Sequence, residues 1–81
     1  MANFKIMVND SKKLNRIKAI LAEKSLSNKW LSEKLGVGQA TVSKWVTNSS
    51  QPSLDMLIQI AQVLDVDIKE LIRVPNNDVI K

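Results

Sequence analysis

SNKWLSEKLGVGQATVSKWVT, residues 27–47, holds two apolar stripes at helical spacing with glycines between them. Ser27 offers the short hydroxyl of a helix N-cap, and Trp30, Leu31 and Leu35 follow on one face. Gly36 stops that stripe at a position where a tight turn favours positive φ. Past Val37 and Gly38, the residues Val42, Trp45 and Val46 fall at i, i+3 and i+4. Small Ser32 stands where the two helices would cross, Leu35 precedes the turn, and the later apolar residues seat the second helix. The spacing predicts two short helices joined by a glycine turn, the second running over about 39–47.

The same three-and-four spacing extends outward. Leu14, Ile17, Ile20 and Leu21 predict a helix before this unit, with Asp10 and Ser11 as candidate N-caps. After a polar, aperiodic loop at Asn48–Pro52, Ser53 is placed to cap a helix carrying Leu54, Leu57, Ile58, Ala61 and Leu64. Asp67 and Glu70 have capping-box spacing for a short fifth helix with Ile68, Leu71 and Ile72, and Pro75 prevents its regular continuation. At the ends, Phe4, Ile6 and Val8 alternate with Lys5, Met7 and Asn9, a weak strand pattern for which Val79 and Ile80 are candidate partners. No internal repeat divides the chain. The expected organisation is an N-terminal arm over 1–10, one domain over 11–73 and a tail over 74–81.

Composition narrows the chemistry. With 81 residues, 44% of them apolar and 25% charged, the chain reads as one small globular domain. The absence of Cys and His removes disulfides, thiolate or imidazole metal sites and histidine-based triads. Gly36 and Gly38 are the only glycines, so there is no glycine-rich phosphate loop. No nucleophile–base pair stands out, and the expectation is a non-enzyme without cofactor or metal. Asp65, Asp67, Glu70 and Asp78 are better explained by helix capping and charge balance than by metal or acid–base chemistry. Without an apolar run near the ~18 residues of a membrane span, or a signal-peptide core, the expected location is the cytoplasm. Charge is unevenly spread. Residues 1–50 carry nine Lys and Arg against three Asp and Glu, a net +6, whereas residues 51–81 carry −2. A basic first half suits a polyanionic partner.

The chain resembles the lambda-repressor-like, Cro/repressor (XRE) helix-turn-helix regulators from about Leu14 to Ile72. The motifs that carry the resemblance are Leu26-Ser27-Asn28, Leu31-Ser32-Glu33-Lys34-Leu35-Gly36-Val37, Val42-Ser43-Lys44-Trp45, Pro52-Ser53-Leu54, Ile60-Ala61 and Leu64-Asp65-Val66. The resemblance implies an all-α, compact five-helix domain with short irregular or strand-like termini. It also implies double-stranded DNA binding, homodimerisation and transcriptional regulation, in a bacterial or phage-encoded protein of the prophage-repressor or restriction–modification controller sort. Three departures stand out. Asn28 replaces the usual Gln at the start of the second helix, and Gly38 replaces the commoner Ser or Thr before the recognition helix. Leu21 and Val46 occupy positions where many members pair Arg with Glu, so an ion pair is exchanged for an apolar contact.

With Val42, Trp45 and Val46 turned inward, Gln39, Ala40, Ser43 and Lys44 are the expected base-contacting residues. Gln suits adenine, Lys suits guanine and Ala a thymine methyl. Asn28 and Ser53, at helix starts, are expected at phosphates. Lys29, Thr41, Thr47, Asn48, Ser49 and Gln51 would add charge or neutral donors there. Trp45 reads as core, while the resemblance implies a partly exposed Trp30 that either covers the surface of the second helix or approaches the DNA backbone. Ile68, Leu71, Ile72, Val74, Val79 and Ile80 exceed what so small a core requires and form the candidate dimer surface. A different class stays open: an antitoxin or other interaction module whose main partner is a protein held by the apolar C-terminal half.

Overall fold

The computed structural model describes residues 13–73. They form helices α1 (Ile17–Glu23), α2 (Asn28–Leu35), α3 (Gln39–Val46) and α4 (Leu54–Leu64), followed by a 3-10 turn at Ile68–Glu70. The class is all-α, but the expected fifth helix is this single turn.

Capping follows the sequence through the middle of the chain. The Ser27 hydroxyl accepts from Trp30 N at 3.0 Å, and the Ser53 hydroxyl accepts from Met56 N at 3.1 Å. Asp67 accepts from Lys69 N at 3.1 Å while Glu70 Oε2 accepts from Asp67 N at 3.2 Å, which completes the capping box. Gly36 ends α2 at φ 72°, the left-handed region that its missing Cβ permits. Gly36 N and Val37 N both donate to Ser32 O, at 2.9 and 3.1 Å, closing the turn on itself.

One core joins these elements. Ile17, Ile20 and Leu21 of α1 meet Leu31 of α2, Val42, Trp45 and Val46 of α3, Ile60, Ala61 and Leu64 of α4, and Leu71. Burying each large aliphatic side chain contributes about 1.5–3 kcal/mol, so this cluster dominates the stability. Leu21 and Val46 are both buried in it, consistent with an apolar contact in place of an ion pair. Helix α3 packs against α1 and α2, and α2 also packs against α4. Helix α3 is thereby gripped from two sides. Among the described residues no helix is long and apolar enough to cross a membrane.

The first helix corrects the sequence expectation. Leu14 fits the apolar stripe, yet it lies before α1 and is exposed. The backbone here is recruited elsewhere: Arg16 N donates to Leu71 O at 2.8 Å, and Arg73 N donates to Leu14 O at 2.7 Å. Together these bonds form an antiparallel bridge between Asn15 and Ile72. The same pairing draws the backbone beyond Leu71 away from a helical course, which accounts for the truncated fifth helix. The N-cap of α1 is Arg16, which makes no side-chain cap bond, and the first N–H, that of Ile17, donates to Asn15 Oδ1 at 3.0 Å. Asp10, Ser11, Phe4, Ile6, Val8, Val74, Val79 and Ile80 lie outside the described residues.

Candidate nucleic-acid interface

The inward face of α3 is settled by Val42, Trp45 and Val46, all buried. Helical geometry then turns Gln39, Ala40, Ser43 and Lys44 outward, and all four are exposed. Gln39, Ser43 and Thr47 stand in one row at intervals of four, with Ala40 and Lys44 in the next. The structure thus brings together the four residues expected at bases. No side chain caps α3, because Gly38 is its N-cap. Its first N–H groups and the exposed Thr41 occupy the end of the helix where negative charge is favoured.

On α2, Lys29 is exposed and Asn28 half-buried, next to the Ser27 cap. Ser32, buried at the helix crossing, donates from its hydroxyl to Lys29 O at 2.8 Å and so leaves no unpaired polar group there. Trp30 is half-buried against the core, with the Lys34 ammonium 5.7 Å from its ring centroid. That arrangement gives the ring an apolar and cation–π role on the α2 surface.

The loop after α3 is built differently from its sequence reading. Thr47 donates its hydroxyl back to Ser43 O at 2.9 Å and lies 2.8 Å from the Ser49 hydroxyl. Asn48 adopts φ 61°, a left-handed conformation that Asn tolerates better than most residues. Ser49 N and Ser50 N both donate to Lys44 O, at 2.9 and 3.2 Å. Asn48 and Gln51, expected as phosphate donors, have their side chains committed to Asn15. Asn48 Oδ1 accepts from Asn15 N at 3.0 Å and from Gln51 Nε2 at 2.9 Å, and Asn48 Nδ2 donates to Asn15 O at 3.2 Å.

Asn15 is the residue that sequence reasoning missed. It is buried, with 6% of its surface exposed. Its Nδ2 donates to Trp45 O at 2.9 Å and to Gln51 Oε1 at 2.7 Å. One amide therefore holds the start of α1, the end of α3 and the loop beyond it. The local signal was an Asn two residues before the first fully buried Ile, a spacing at which an amide oxygen can cap a helix.

A family model for helix-turn-helix domains matches residues 17–71. The chain belongs to the XRE-type helix-turn-helix family. Within that family, α2 and α3 are its helix-turn-helix unit. The crystal structure of a Bacteroides fragilis protein proposed to bind DNA is similar to this helix-turn-helix chain. The two share 53% identity and a TM-score of 0.73, over 74% of this chain and 97% of the other. No match is found among curated proteins.

Proposed function

We propose that this helix-turn-helix regulator binds double-stranded DNA sequence-specifically, with α3 in the major groove and as a homodimer on an inverted repeat. The observation that carries the reading is the exposed set Gln39, Ala40, Ser43 and Lys44 on a helix whose opposite face is fixed in the core. Gln39 and Lys44 supply hydrogen bonds to base edges, while Ala40 and Ser43 let the helix approach closely. Asn28, Lys29, Thr41 and the N-terminus of α4 beside Ser53 touch phosphates and set the register. Thr47 and Ser49 add hydroxyls at the end of α3. Asn48 and Gln51 act mainly by holding the loop that presents them. Such a regulator works in the cytoplasm of a bacterium, whether chromosomal or phage-encoded.

Dimerisation draws on exposed apolar residues outside α3. Leu71 was a candidate there, but it is wholly buried in the domain's own core. Ile68 is half-buried against that core. Ile72 stays exposed at 42%, and Leu54 at 67% and Ile58 at 42% add apolar surface on α4. These three residues are the better anchors for a second copy.

Selection from a random-sequence duplex pool tests the reading. The expected product is an inverted repeat whose half-sites lie about 10 bp apart centre to centre. Absence of enrichment at low salt, where weak phosphate contacts still hold, overturns it. Sedimentation of the free protein as a monomer would remove the homodimer and favour a protein partner for Leu54 and Ile58.

A further inference from the structure

A groove of about 670 Å³ lies where the two ends of the described chain meet the far end of α3. Lys13, Arg16, Lys18 and Arg73 line it, along with Ala19 and Ala22 of α1, the end of α3 and buried Asn15, whose amide is already spent on Trp45 O and Gln51 Oε1. No carboxylate is among the lining residues. Sequence scatters these four cations over sixty positions, and the Asn15–Ile72 bridge gathers them. Arg73 Nη1 donates to Lys13 O at 3.4 Å, which lays the two basic residues against each other.

The four are not equivalent. Arg16 is engaged on its own side, donating from Nη1 to Glu70 O at 3.0 Å and standing 3.8 Å from Glu23 Oε2. Lys13, Lys18 and Arg73 form no ion pair with any described residue. All three are exposed. Three cations on one groove with no ion pair among the described residues repel one another, and no core contact requires them there. Ala19 and Ala22 keep the α1 wall low, so the groove is open to an extended ligand. A small anion sealed in a pocket would call for buried donors, and the groove has none among these three.

We infer that this groove is a second DNA-backbone site, in which Lys13, Lys18 and Arg73 neutralise phosphates adjoining those beside α3. The inference rests on the DNA-binding reading above. Its occupant is chosen by continuity: Thr47 and Asn48 belong both to the groove wall and to the end of the reading helix. A strand whose bases face α3 passes into the groove without changing course. Exposed cations of this kind act through release of condensed counterions, which suits a polyanion and not a single phosphate. The contact is blind to sequence, so it adds affinity and orientation while leaving the base preference to α3.

The test uses the full chain and the site recovered by selection. The triple variant Lys13→Ala, Lys18→Ala, Arg73→Ala is compared with the wild type for salt dependence of binding and for phosphate-ethylation interference. The expected result is a slope of log K against log salt shallower by about 2–3, near 0.9 for each lost phosphate contact. Interference should disappear at a short contiguous run of phosphates, while the preferred sequence is unchanged. Lys18→Arg, which keeps the charge, should keep the wild-type slope. An unaltered slope and footprint in a triple variant with wild-type melting overturns the inference. So does a uniform weakening with no phosphate lost, which would show only a diffuse field. Lys44→Ala separates this from the parent reading, because it should shift base preference and retain the groove footprint. A wild-type protein that binds no duplex at low salt overturns both.

Discussion

Two connections flank α3, and they are secured by different means. Before α3, the turn from Gly36 to Gly38 is held by backbone alone: a left-handed glycine and two N–H groups on Ser32 O. After α3, backbone bonds to Lys44 O start the loop from Thr47 to Pro52, but side chains hold the rest of it, and their anchor, Asn15, lies more than thirty residues earlier. The first connection is local and would form in any chain with this turn sequence. The side-chain part of the second exists only once Asn15 and α1 have docked. Orientation of the reading face thus depends on one self-sufficient joint and one borrowed joint.

Mutations can break either joint separately, and the borrowed one should be the more costly. Asn15→Ala leaves Ile17 N without its partner and empties the network, at a cost of about 2–3 kcal/mol in chemical denaturation. Asn15→Asp should fail to rescue it. The carboxylate would still accept from Ile17 N but would face the oxygens of Trp45 and Gln51 that Nδ2 now serves. A loss below 0.5 kcal/mol, the range of ordinary surface changes, would show that the loop is held by other means.

Gly36→Ala comes next. Nothing lies within 4 Å of the added Cβ, so the cost is the left-handed backbone alone, about 1–2 kcal/mol. Thermal melting should show this loss with the site selected by the protein unchanged. Asn48→Gly keeps the positive φ and removes only the half-buried side chain, where water can replace part of the network. It should cost about 1 kcal/mol, and Asn48→Ala more, since strain is then added. Equal losses for the two variants would deny any role to the backbone conformation.

Lys44→Ala should move stability least, within about 0.5 kcal/mol, because the residue is exposed. Duplex binding should nevertheless fall by about 1–3 kcal/mol with relaxed base preference. That split separates reading from holding. An unchanged binding isotherm would take Lys44 out of the base-contacting set.

The same contrast explains what could be read in advance. The glycine turn, the caps at Ser27, Ser53 and Asp67, and the inward face of α3 rest on neighbours within a few residues, and the pattern displays them. The outward residues Gln39, Ala40, Ser43 and Lys44 follow from that face by geometry. The start of α1 was misjudged because Leu14 matches the helical stripe, while the bonds that hold it extended come from Leu71 and Arg73. Leu71 was assigned to a surface because its burial depends on the same long-range pairing. The commitment of Asn48 and Gln51 to Asn15 was invisible for a like reason: a polar loop shows what it can donate, not to whom.

The bridge between Asn15 and Ile72 has a dynamic consequence. The helix-turn-helix unit closes between sequence neighbours, but the bridge closes nearly the whole described chain and loses the most loop entropy. Its formation therefore waits on the core, Leu71 included, that brings the two ends together. Asn15, whose own N–H and C=O pair with Asn48, then grips the end of α3 through Trp45 O. The end of α3 is thus among the last parts of the domain to be fixed as the chain folds.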